Sequence, residues 1–102
     1  MSSLGKDIAE HLAEFYTSED TAINGRELSQ MFNVTNRQLR NIVTVLRQEG
    51  EPICSSTHGY WYSKEPEDLE KTIHRLEAQI RNMDYALKGL NKILQEVQNE
   101  SE

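Results

Sequence analysis

Four residues that begin one helix-like segment, Asn36, Arg37, Arg40 and Asn41, have side chains suited to bidentate hydrogen bonding. A guanidinium can grip guanine through two acceptors and a carboxamide can grip adenine, each good pair discriminating by about 1 to 3 kcal/mol. Thr35, Gln38, Thr44 and Arg47 share the segment, and Lys64 follows shortly after; these donors suit phosphate oxygens, which set register without carrying sequence information. A polar stripe of this kind is also what the solvated face of any amphipathic helix presents.

Other chemistry finds no footing. The sequence has no glycine-rich phosphate loop with lysine, no His-Glu-x-x-His and no nucleophile with an identifiable base, so catalysis is not expected. Cys54 is the one cysteine and reads as a small strand residue; His11, His58 and His74 fall on different elements, so neither metal nor cofactor is expected.

The elements that position the stripe follow from periodicity. Leu4, Ile8, Leu12 and Phe15 repeat at helical spacing over residues 3–16. Residues 17–20 are a polar turn, and Thr21-Ala22-Ile23 offers at most a bridge strand. Asn24 with Glu27 satisfies the capping-box pattern and predicts a short helix over 25–32. Thr35 with Gln38 repeats that pattern and opens a longer helix that stops at Gly50. Within it Leu39, Ile42, Val43 and Leu46 form the packing side, opposite the arginines.

Pro52 to Ser55 and Tyr60 to Ser63 read as two strands around a loop that contains Gly59. Tyr60 and Tyr62 share the core-facing side, and Trp61 points the other way, where it lies against the base of the last helix or, alternatively, stacks on a sugar or a partner. The loop residues Ser56, Thr57 and His58 fit a backbone or minor-groove contact and an ordinary hairpin turn equally well.

Pro66, followed by Glu67 and Asp68, opens a last helix and divides the chain into residues 1–65 and 66–102. Its apolar residues step four and three: Leu69, Ile73, Leu76, Ile80, Met83, Leu87, Leu90, Leu94 and Val97. A helix over 66–98 would be about 50 Å long, whereas a domain of the preceding length spans only ~25 to 30 Å. A second chain is the simplest cover for the seam, and a homodimer is expected; a helical hairpin turning at Gly89 is the alternative. The isoleucine half favours a parallel pair and the leucine half accommodates either direction. Glu70, Glu77 and Asp84 would face Thr72, Gln79 and Ala86 in a parallel pair, which tilts the expectation toward parallel.

The order helix, bridge strand, helix, turn, helix, hairpin is that of a winged helix-turn-helix. Asn24-Gly25-Arg26-Glu27-Leu28-Ser29, Asn33-Val34-Thr35-Asn36-Arg37-Gln38-Leu39, Leu46-Arg47-Gln48-Glu49-Gly50 with Pro52-Ile53, and Gly59-Tyr60 resemble the biotin-repressor type of that domain over residues 21–63. The resemblance implies a mainly α fold with a small β-wing, and double-stranded DNA as partner. A compact winged helix-turn-helix followed by a long C-terminal coiled-coil helix is similar to small regulators or replication accessory proteins of phages and Gram-positive bacteria.

Charge and composition bound these expectations. The 102 residues carry 11 basic and 17 acidic side chains, a net charge of -6 that opposes a nucleic-acid coating role. Residues 1–32 carry a net -4 and residues 33–64 a net +2, so an anion is drawn to the middle of the chain. No apolar run approaches a membrane span, and the first seven residues lack the pattern of a secretory signal, so a cytoplasmic location is expected. The expected function is therefore site-specific DNA binding by a homodimer, in transcriptional regulation; a protein-binding adaptor or anti-repressor, or a phage replication accessory protein, is the alternative.

Overall fold

The computed structural model describes residues 3–100. Among them the chain forms α1 (Ser3–Phe15), a 3₁₀ turn (Glu19–Thr21), α2 (Gly25–Met31), α3 (Asn36–Gln48), β1 (Ile53–Ser56), β2 (Gly59–Tyr62) and α4 (Pro66–Glu100). The fold is mainly helical, with one two-stranded antiparallel sheet and a long C-terminal helix. Two compact units divide at Thr72/Ile73.

In the first unit, α1, α2 and α3 enclose Ile8, Leu12, Leu28, Leu39, Val43 and Leu46, with Ile23 and Ile53 completing the core. The polar segment after α1 closes into the 3₁₀ turn, where the Thr21 amide donates to the Ser18 carbonyl at 3.1 Å. Ile23 then pairs with Tyr60 through two backbone hydrogen bonds, 3.0 and 2.8 Å long, so the hairpin is sewn to the segment ahead of α2. Gly59 permits that approach: its φ is +129°, and a Cβ there would collide with the Ile23 carbonyl.

The hairpin register pairs Ile53 with Tyr62, Cys54 with Trp61 and Ser55 with Tyr60. Alternation sends Ile53, Tyr60 and Tyr62 to the main core. Cys54 and Trp61 point the other way, yet both are fully buried, because the first turns of α4 cover that side. The Ser55 amide donates to the Thr72 hydroxyl at 3.2 Å, and the Ser63 hydroxyl donates to the Asp68 carboxylate at 2.7 Å. These contacts carry the first unit six residues beyond Pro66, to Thr72.

The second unit is the remainder of α4, helical without interruption through Gly89, so a hairpin turn there is excluded. Along its seam Ile80, Met83, Leu87 and Leu90 are all more than half exposed. No helix among the described residues is long and apolar enough to cross a membrane.

Candidate nucleic-acid interface

The helix pair α2–α3 is set by its caps. The Glu27 amide donates to Asn24 Oδ1 at 2.8 Å, which fixes the start of α2. Asn33 takes a φ of 55°, a left-handed conformation that asparagine tolerates, and turns the chain sharply. The Val34 amide donates to the Ser29 carbonyl at 2.9 Å to close the turn. Thr35 and Gln38 then cap reciprocally: the Gln38 amide donates to Thr35 Oγ1 at 3.0 Å, and the Thr35 amide donates to Gln38 Oε1 at 2.8 Å. Both caps use the acceptor oxygens of these side chains, so the Thr35 hydroxyl proton and the Gln38 amide NH2 stay available to a phosphate.

Burial of Leu39, Val43 and Leu46 turns the opposite side of α3 outward, where Arg37, Arg40, Asn41 and Thr44 are exposed together. Neither guanidinium of Arg37 and Arg40 forms an ion pair; the ion pairs among the described residues are Lys6–Glu10, Lys71–Glu19 and Lys88–Asp84. Asn36 is also exposed, and its Oδ1 lies 3.0 Å from the Ser29 hydroxyl, so its carboxamide is oriented by α2. The Thr44 hydroxyl donates to the Arg40 carbonyl at 2.9 Å.

Arg47 departs from its expected phosphate-facing role. Its Nε donates to the Ile53 carbonyl at 2.8 Å and its terminal nitrogen donates to the Ser55 hydroxyl at 3.0 Å, tying the end of α3 to β1. The reason is geometric: the chain reverses after Gly50 and brings unpaired strand groups beneath the side chain. A planar fork with several donors suits that position better than an ammonium.

The loop residues sit beside an acid. The His58 amide donates to the Ser56 hydroxyl at 3.1 Å, while Ser56 and His58 both lie close enough to Glu19 to lower its pKa. The main cause of that lowering is Lys71, whose ammonium donates to Glu19 at 2.6 Å and is itself held above the usual lysine range. Thr57 and His58 remain exposed, as does Lys64 beyond β2. The α3 stripe and the loop thus differ electrostatically: the stripe carries free cations, and the loop shares its surroundings with a carboxylate.

Sequence reasoning missed one feature next to the stripe. An open groove of about 710 Å³ runs between α1 and α3, floored by Ala9, Ala13, Ile42, Val45 and Leu46, with Asn41 at its edge. The signal was present in Gly5, Ala9 and Ala13, small residues four apart that leave one side of α1 shallow. Glu10, Glu49 and Glu51 line it as well, and the Tyr62 hydroxyl donates to Glu51 at 2.7 Å, which raises the tyrosine pKa.

Cys54 is buried, and desolvation pushes its thiol pKa up, as fits a packing residue. No group of His, Cys, Asp or Glu among the described residues is arranged to hold a metal ion. Comparison with protein-family models, curated proteins and solved structures finds no match.

Proposed function

We propose that the first unit is a winged helix-turn-helix that binds duplex DNA site-specifically, and that the protein acts as a homodimer held by α4. The observation that carries this reading is the pair of unpaired, exposed guanidiniums of Arg37 and Arg40, flanked by Asn36 and Asn41, on the second helix of a tightly capped helix pair. In such a motif the second helix enters the major groove and its N-terminal residues meet base edges. The negative charge of the whole chain disfavours indiscriminate adhesion and leaves local cations to find a site. Transcriptional regulation is the biological output favoured, with the organisation of a replication origin as an alternative.

Within this reading α3 carries base recognition and Lys64 remains an exposed phosphate donor, whereas the Thr44 hydroxyl proton is held by the Arg40 carbonyl. Arg47 is assigned to positioning, because its bonds to β1 set the angle between α3 and the hairpin. Selection from random duplexes followed by a mobility-shift assay tests the proposal. Arg37→Ala and Arg40→Ala should each weaken the selected site by roughly 5- to 150-fold, the loss of one bidentate contact. Retention of full affinity by both variants removes the proposal.

The groove between α1 and α3 supports a second reading, a protein-binding adaptor that receives an apolar segment there. Partner capture through the groove should survive Arg37→Ala and Arg40→Ala and fail with Val45→Glu.

A further inference from the structure

Val45 is half exposed on a helix whose Leu39, Val43 and Leu46 are buried, and it forms part of the groove between α1 and α3. Ala9 and Ala13 keep α1 shallow opposite it, so a cavity of about 710 Å³ with an apolar floor lies open. That floor is bordered mainly by charge of one sign. Glu10 stands on the α1 side, while Glu49 and Glu51 stand where α3 ends, at the negative pole of its helix dipole. Among the described residues that line the groove, Lys6 is the one cation, and its ammonium lies 4.0 Å from Glu10. An occupant therefore meets an apolar seat with a net acidic rim.

We propose that this groove seats an amphipathic α-helix of a second protein, one that carries lysine or arginine beside its apolar stripe. This partner chemistry deepens the adaptor reading above and rests on it. The walls are helices whose backbone groups are bonded internally, so an extended segment would find no strand edge and would bury its own amides unpaired; a helix brings its hydrogen bonds with it. From Gly5 to Ala13 the groove follows α1 for about 12 Å, the reach of three anchors at i, i+4 and i+7. Small side chains on α1 let the backbone of the incoming helix approach closely. Charge decides against the other occupants. Nucleic acid would set phosphates against the glutamates. A second copy would offer the exposed stripe of α4, whose flank holds Glu70, Glu77 and Asp84 and whose Lys88 and Lys92 lie on the side away from the stripe. Two grooves face to face would oppose the same acids. Lysine and arginine instead cover the rim with apolar stems and place their cations beside the carboxylates; the floor supplies affinity and the rim selects the sign of the partner.

A display library of helical peptides tests this, with leucine fixed at the three anchors and lysine, glutamate and glutamine sampled at the flanking positions. Selection uses the full-length chain, and counter-selection uses Ala13→Trp, which fills the groove from an exposed position. The peptides retained should carry lysine in preference to glutamate, and a lysine-flanked peptide should bind roughly 10-fold tighter than its glutamate counterpart. Glu10→Lys combined with Glu49→Lys, both at exposed positions, should reverse that preference. Val45→Ser removes apolar surface at a second exposed position and should weaken the same peptides, which separates loss of the seat from any effect of Ala13→Trp on folding. Groove-dependent peptides with glutamate or glutamine flanks, or no reversal in the double variant, overturn the basic partner and leave the adaptor reading intact. Self-association of the parent that Ala13→Trp abolishes seats a second copy in the groove and overturns it as well. If no peptide distinguishes the parent from Ala13→Trp and Val45→Ser, the adaptor reading falls and this partner with it.

Discussion

Arg47 Nε donates to the backbone carbonyl of Ile53 across 2.8 Å, and this bond joins the last turn of α3 to the first residue of the hairpin. A side chain of the type most associated with nucleic acid is thereby committed to the fold. Arg47→Ala leaves the carbonyl and the Ser55 hydroxyl without this donor, and a part-buried charged hydrogen bond of this kind contributes about 1.5 to 3 kcal/mol. Urea denaturation should show a loss of that size, and Arg47→Lys should recover only part of it. A stability loss below about 0.5 kcal/mol would assign Arg47 to the surface instead.

The glycines separate conformational cost from steric cost. Gly50 and Gly59 both have positive φ, but a Cβ at Gly50 meets nothing within 4 Å, whereas one at Gly59 meets the backbone of Ile23 and Asn24. Gly50→Ala should cost about 1 to 2 kcal/mol, the penalty of left-handed backbone alone. Gly59→Ala should cost more than that, since it also pushes apart the Ile23–Tyr60 bridge. Amide exchange at Tyr60 reports the difference: it should accelerate in Gly59→Ala and stay protected in Gly50→Ala.

The Glu19–Lys71 pair gives stability a pH dependence of known sign. Glu19 has its pKa below the ordinary 4.5, so its contribution is complete above that value and disappears as pH falls through the lowered one. Lys71 lies above the ordinary 10.5, so its share is complete below 10.5 and is lost as pH rises through the raised value. Thermal melts of Glu19→Gln should therefore show a shallower decline below pH 4.5 than the parent. An unchanged acid limb contradicts this.

Cys54 should resist alkylation. The thiol is buried and its pKa is raised by desolvation, so the reactive thiolate is scarce under conditions that label a free cysteine. Labelling at pH 8 should proceed only in denaturant, and rapid modification of the native protein would show that the Cys54–Trp61 side of the hairpin opens.

DNA affinity should fall with salt. About six to eight phosphate contacts per dimer give a log-log slope of about -5 to -7, at roughly 0.9 per contact. Lys64→Ala should make that slope shallower by about 1 per protomer, whereas Arg47→Ala should leave it unchanged. A slope near zero is incompatible with the DNA-binding proposal.

Local physics made much of the architecture legible in the sequence. The N-cap at Asn24, which accepts from the Glu27 amide without the reciprocal bond, and the full capping box at Thr35–Gln38 announce α2 and α3, because side chains three residues away satisfy the first amides. The 3.6-residue spacing of Leu39, Val43 and Leu46 assigns the arginines to the outer side of α3. Alternation at Tyr60-Trp61-Tyr62 sends the tryptophan to the opposite side of the hairpin from the tyrosines.

Tertiary structure decided what depends on segments distant along the chain. Whether Arg47 meets solvent or a strand carbonyl depends on where the chain travels after Gly50, and helical spacing does not encode that path. The contact of Glu19 with Lys71 joins residues 52 positions apart and places an acid beside the hairpin loop, which no local pattern announces. The groove between α1 and α3 exists because the small residues of α1 oppose Val45 and Ile42, a matter of packing between helices. Local hydrogen bonding and periodicity act over a few residues and can be read in order along a chain; the neighbour that satisfies a given side chain is chosen only when the whole chain has closed on itself.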